Sequence, residues 1–227
     1  SPWKFKPYGQ CGHLVSELFP NVGRHVDDLC FLHSVHGTNA AHGGALLKLH
    51  TGSDNFVRPS MGSWVSYGLG TENENLPSFI TICPTLAHGG VQNWSAGFLP
   101  AHHQGSPIGN ASIPSSEARV RHIRNGHWTP GQQLEQLSLI RKLNQGHQQT
   151  LTGNHPELED RIRSFELAFR MQSEASDVFD INREPKNIRD AYGSGTHGRQ
   201  LLMTRRLLER GVRFIQVWSG NGQPWDN

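Results

Sequence analysis

Residues 198–218 constrain the fold more than any other stretch. Leu201, Leu202, Leu207 and Leu208 recur on a helical period between about Gly198 and Arg210. Arg205, Arg206 and Arg210 crowd its last turns, where cations complement the negative helix end, and Gly211 supplies a C-terminal stop. The apolar run Val212 to Trp218 follows as a strand, and then the Gly-rich Ser219 to Gly222. Helix, glycine, strand and glycine-rich loop make an αβ unit of an open sheet, and such sheets place ligands beyond the carboxyl ends of their strands.

Other segments fit the same class. Leu14, Leu18 and Val22 predict a helix from His13 to Asp27, and Leu29 to Leu32 a short buried strand. Gly37, Thr38 and Asn39 suit a turn. Ala45 to Leu49 suit a short helix stopped at Thr51-Gly52, completing a strand–turn–helix unit. Gly62 to Tyr67 is mixed in character, and Ser78 to Pro84 reads as a second buried strand. Residues 88–125 are rich in Gly, Pro, Ser, Asn and His, but Trp94, Phe98, Ile108 and Ile113 favour an ordered loop. Thr129-Pro130-Gly131-Gln132 forms a capping box with Pro at the first helical position, followed by a stripe of Leu134, Leu137, Ile140 and Leu143. A second helix starts near Pro156 and turns Leu158, Ile162, Phe165 and Phe169 inward. The expectation is an α/β fold with a helical layer or insertion over about residues 129–195.

Composition narrows the function classes. The 227 residues, 25.3 kDa, suit one large domain or two small ones. Twenty-one basic and 19 acidic side chains leave a formal +2, which speaks against a polybasic nucleic-acid protein. No apolar run approaches the roughly 20 residues of a membrane span. Cys11, Cys30 and Cys83 are too far apart for a metal knuckle or a disulfide framework and read as part-buried thiols. Ser1 is not a start methionine, no signal peptide opens the chain, and Trp225-Asp226-Asn227 follows directly on a strand and turn, so an internal piece of a longer protein is expected.

The 14 histidines justify asking where they cluster. P-loop, HExxH and GxSxG signatures are absent. His33, His36, Asn39 and His42 gather between the expected strand at Leu29 and the next helix. Histidines there could bind a metal, take a proton or act as nucleophile beside an anion-favouring helix N-terminus, or simply cap and pack the loop. Arg58, among the hydroxyls and glycines of residues 58–68, could grip a sulfate or phosphate with its forked guanidinium, or be an ordinary turn residue. His88-Gly89-Gly90 and Gln92-Asn93-Trp94 could line a polar pocket or form a plain loop. Asp226, past the carboxyl end of the last strand, could be a metal carboxylate or a turn residue.

Several runs together resemble one family. They are residues 1–5 (SPWKF), 16–20 (SELFP), Ser34-Val35-His36 through His42, Leu46-Leu47 to Thr51-Gly52, 58–70 (RPSMGSWVSYGLG), 93–100 (NWSAGFLP), 165–172 (FELAFRMQ) and 211–217 (GVRFIQV). The chain is similar over its whole length to an uncharacterised, sulfatase-like family of domains of unknown function placed in the alkaline phosphatase superfamily. The resemblance implies one partial three-layer α/β/α sandwich over residues 1–227. It implies one or two divalent cations (Zn, Ca or Mg) at the strand ends, and hydrolysis of sulfate or phosphate esters on a small-molecule or glycan substrate. Export to the periplasm or outside is implied too, since members usually carry a signal. In those terms Asp226 is the metal ligand, His42 and His36 sit at the reacting centre, and Arg58, Asn39 and Asn93 hold substrate. The family's Gly-Gly-Pro-Ser-His-x-Asp motif and the His expected just after Trp225-Asp226 do not occur. Aligned on the sulfatase run CxPSRxxLLTG, His42 falls near the nucleophile's place, and with no Cys there formylglycine chemistry is not expected. The rival expectation is a non-catalytic protein that keeps the fold and binds a sulfated glycan or a protein partner.

Overall fold

The structure, a computed structural model, describes residues 2–110, 126–150 and 156–220. Its backbone divides into two compact units, Ser1–Thr38 and Asn39–Asn227. The first unit is built on an antiparallel hairpin of β1 (Phe5–Tyr8) and β2 (His13–Ser16), with Phe5 opposite Ser16 and Tyr8 opposite His13. Gly9 and Gly12, both at φ 65°, supply the left-handed residues of the connecting turn. The Asp27 carboxylate accepts the N–H groups of Gln10 (2.8 Å) and Cys11 (2.9 Å), and these bonds hold its pKa below the usual carboxylate range. The chain then makes one short helix, α1 (Pro20–Gly23), and a 3₁₀ turn at Val26–Asp28.

This differs from the expected helix over His13–Asp27. Residues 13–16 spend their main chain on the hairpin ladder, and Pro20 has no N–H with which to continue a helix from residue 16. Leu14 is accordingly 61% exposed. The expected buried strand at Leu29–Leu32 does not form either. Leu32 is 77% exposed, and Phe31 stacks on the His13 ring at 3.8 Å. An apolar run becomes a strand only where a neighbouring chain completes its hydrogen bonds.

The second unit is α/β. Its elements are α2 (His42–Thr51), α3 (Met61–Leu69), β3 (Phe79–Ile82), β4 (Ser106–Ile108), α4 (Pro130–Thr150), α5 (Pro156–Val178), α6 (Lys186–Tyr192), α7 (Thr196–Leu208) and β5 (Phe214–Val217). The strands form a parallel sheet in the order β4-β3-β5, with Ile80 opposite both Ser106 and Ile215. The αβ unit at residues 198–218 thus appears as α7 and β5, and the run from Ser78 as the fully buried β3. Gly52 ends α2 in the left-handed region, as expected. The capping box is present: Thr129 N–H donates to Gln132 Oε1 (2.9 Å), and Gln132 N–H to Thr129 Oγ1 (3.3 Å). The mixed stretch from Gly62 is helical, because its small residues Gly62, Ser63 and Ser66 make the buried face of α3.

Alternation along the strands sorts two cores onto the two faces of the sheet. Ile80, Ile82 and Ile108 pack with Met203 and Leu207 of α7 and with Val178 at the end of α5. Phe79 packs on the opposite face with Trp94, Trp218, Phe214 and Leu46 of α2. A Cβ on Gly62 would lie 2.6 Å from the Phe79 ring, so α3 reaches the sheet only through glycine. Arg206 of α7 is buried, with Nε donating to Val178 O (2.9 Å), Nη2 to Asp177 O (2.8 Å) and Nη1 paired to Glu184. The stripes of the long helices are less buried than expected. No residue of α4 is buried, and Phe165 of α5 is 61% exposed, because neither helix covers the sheet with its full apolar face. Ile113 and the rest of residues 111–125 lie outside the described residues.

Candidate functional site

The helical repeat of α2 places His42, Leu46 and His50 one turn apart on a common face. Leu46 anchors that face in the Phe79–Trp94–Trp218 core, and His50 lies edge-on to Trp218 at 5.3 Å. His50 Nδ1 is 3.0 Å from Asn93 Oδ1, and His50 Nε2 is 3.0 Å from Gln216 Nε2. Asn93 is fully buried, and its Nδ2 donates to His88 O (3.0 Å) and Gly90 O (3.1 Å). Those two carbonyls orient the carboxamide, so Oδ1 must accept from His50 Nδ1–H. His50 Nε2 is then left to accept from Gln216. The network requires a neutral imidazole. Burial pushes the His50 pKa down, outweighing the Asn93 bond that favours the charged form. Among the described residues the buried Gln216 Oε1 finds no hydrogen-bond partner. Gln216 is level with Thr81 on β3, whose Oγ1 accepts from Trp218 Nε1 at 2.8 Å. The network therefore lies toward the carboxyl ends of the parallel strands.

Asn93 also fixes the loop before it. His88, Gly89 and Gly90 are successive left-handed residues, with φ of 55°, 99° and 57°. The His88 and Gly90 carbonyls accept from the Asn93 amide, and the turn brings the His88 ring 5.7 Å from that of His42 at the start of α2. Two imidazoles at this spacing could exchange a proton or contribute to one cation. Among the described residues no three His, Cys, Asp or Glu side chains converge as a metal set would require. The described residues therefore do not by themselves fit a divalent cation.

The structure treats the sequence-derived candidates unequally. It gathers Asn93 and His42 around the His88 turn. Asn39 shapes the approach to α2, its Oδ1 accepting from Ala41 N–H (2.9 Å) and its Nδ2 donating to Asp54 Oδ2 (2.9 Å). That bond lowers the Asp54 pKa. It also explains Gly44, where a Cβ would lie 2.2 Å from Asn39 Nδ2. Arg58 is exposed, with its guanidinium 6.0 Å from the Phe56 ring. His36 belongs to the first unit, where it is exposed with Nδ1 3.4 Å from Ser34 O. Asp226 lies outside the described residues. His50, Gln216 and Trp218 escaped the sequence reading. The two-turn spacing of His50 from His42 and the lone amide inside an apolar strand were the available signals.

Fold and site together define an α/β protein with a His–Asn–Gln network, centred on the buried Asn93, at the carboxyl side of a parallel sheet. The chain belongs to the family described as protein of unknown function (DUF1501), whose model matches residues 1–227. No curated protein and no solved structure matches it. Among the described residues no helix is long and apolar enough to cross a membrane.

Proposed function

We propose that this chain is part of an exported, metal-dependent hydrolase of sulfate or phosphate esters, with the sheet and helices of an alkaline phosphatase-like α/β/α sandwich. The observation that carries the reading is the meeting of His42 with the Asn93-braced His88 turn on the carboxyl side of a parallel sheet, where α/β proteins hold ligands. Asp226 would hold the metal, Zn²⁺, Ca²⁺ or Mg²⁺, which when bound polarises ester oxygens. The chain's own groups have narrower tasks. His42 takes or returns a proton at its ring, and Asn93 and His50 keep the His88 turn from relaxing. The exposed Arg58 guanidinium supplies a fork for an anionic oxygen of a small-molecule or glycan ester.

One observation favours a second reading, a non-catalytic protein that binds a sulfated glycan or a protein partner. His50, a half-buried histidine beside the proposed site, spends both ring nitrogens inside the protein and has none for a substrate. Elemental analysis of the full-length protein and its Asp226→Ala and His42→Ala variants, with turnover of nitrophenyl sulfate and phosphate, separates the two. The hydrolase predicts about one or two divalent cations per chain, reduced in Asp226→Ala. It also predicts turnover at least about a hundredfold lower in His42→Ala. Metal-free, inactive protein that still binds heparin would establish the binding module instead.

A further inference from the structure

A cleft of about 730 Å³ runs between α5 and the edge strand β4, within the second unit and apart from the His50 network. Its volume lies in the range of small-molecule sites, roughly 300–1,000 Å³. Its floor is apolar and belongs to the core, with Leu76, Ile80, Ile108 and Met171 all buried. Its charged lining is unequal, two arginines (Arg163 and Arg170) against one glutamate (Glu74). Asp160, almost fully buried on α5, accepts from Ala101 N–H (3.0 Å) and from His102 Nδ1 (2.8 Å). That carboxylate is spent on docking the helix, and it fixes the His102 ring in the cleft wall. Arg163 stands less than one turn further along α5. Arg163 pairs with the exposed Glu159 at 3.3 Å, a surface ion pair of the kind that contributes little.

We infer that this cleft binds an amphipathic monoanion, a carboxylate or sulfate head on an unbranched apolar body, with the head at Arg163 and His102 and the body over Ile108 and Met171. Pro107 supports a small-molecule occupant over an added β-strand. Cys83 N–H donates to Ile108 O (2.8 Å), so Ile108 faces β3 and alternation turns Pro107 to the open side, where it has no N–H to offer.

The chain has three methionines, which make the test specific. Met171 lines the cleft, Met203 sits in the α7 core and Met61 is exposed on α3. Protein carrying ¹³C-methyl methionine is titrated with octanoate, octyl sulfate and, as the uncharged control, octyl glucoside. The expected result is a saturable shift of the Met171 signal alone with both anions and none with the glucoside. Arg163→Gln, a change at an exposed position, should weaken that binding about tenfold. Equal binding of the glucoside, an unaltered affinity in Arg163→Gln, or no saturable Met171 shift would each overturn the inference.

Discussion

Asn93 satisfies both ends of its carboxamide inside the protein, so its replacement removes bonds that nothing else can make. Asn93→Ala leaves the His88 and Gly90 carbonyls and His50 Nδ1–H without partners. We expect a loss of about 3 kcal/mol or more, read from urea unfolding, since each buried polar group left unpaired costs about 1–3 kcal/mol. Asn93→Asp should be worse, because it sets a carboxylate against two carbonyl oxygens. A loss below about half a kcal/mol in Asn93→Ala, the scale of a surface change, would mean that the His88 turn does not depend on this residue. The sequence had pointed to Asn93 beside Trp94 as a pocket residue. Its role as the brace of a histidine could not be read there, because His50 lies 43 positions away and only the docking of α2 joins them.

Among elements, β4 shows how one residue sets the limit of a sheet. It is short, and Pro107 removes the donor that an incoming strand would need on its open side. Pro107→Thr restores that donor and suits a strand. We expect this variant to self-associate at concentrations where the parent chain does not, as sedimentation velocity would show. An unchanged sedimentation coefficient across the concentration range would mean that Pro107 is not what protects that edge. The long helices carry a related lesson. Their periodicity was plain in the sequence, yet period alone does not say what a face will meet. Phe165 and the α4 stripe remain largely exposed although their spacing is as regular as that of α7.

At the scale of the whole molecule, two half-buried histidines tie stability to pH. Burial pushes the His50 pKa below its ordinary value, and burial followed by the neighbouring His102 does the same to His103. His103 also keeps Nδ1 2.8 Å from the Ser66 hydroxyl. The unfolded chain, with ordinary histidines near 6.5, then binds more protons than the folded one in the window between the lowered values and about 6.5. Stability should therefore be level above about pH 7 and fall as pH drops through 6.5, with the loss ending once the folded-state values are passed. Urea midpoints measured from pH 8 to pH 5 test this, with His50→Gln expected to flatten part of the slope. A midpoint that rises on acidification would contradict the neutral assignment of both rings.

By itself the sequence determined the α/β class, the α7–β5 unit, the buried β3, the stop at Gly52 and the capping box at Thr129. Each of these depends on residues within about a dozen positions of one another, where period, glycine and capping act directly. Only the tertiary structure decided that Leu29–Leu32 finds no ladder and that His50, Asn93 and Gln216 meet. Strand pairing and side-chain networks are closed by partners remote in the chain. His50 and Gln216 stand 166 positions apart, and no local pattern records that distance.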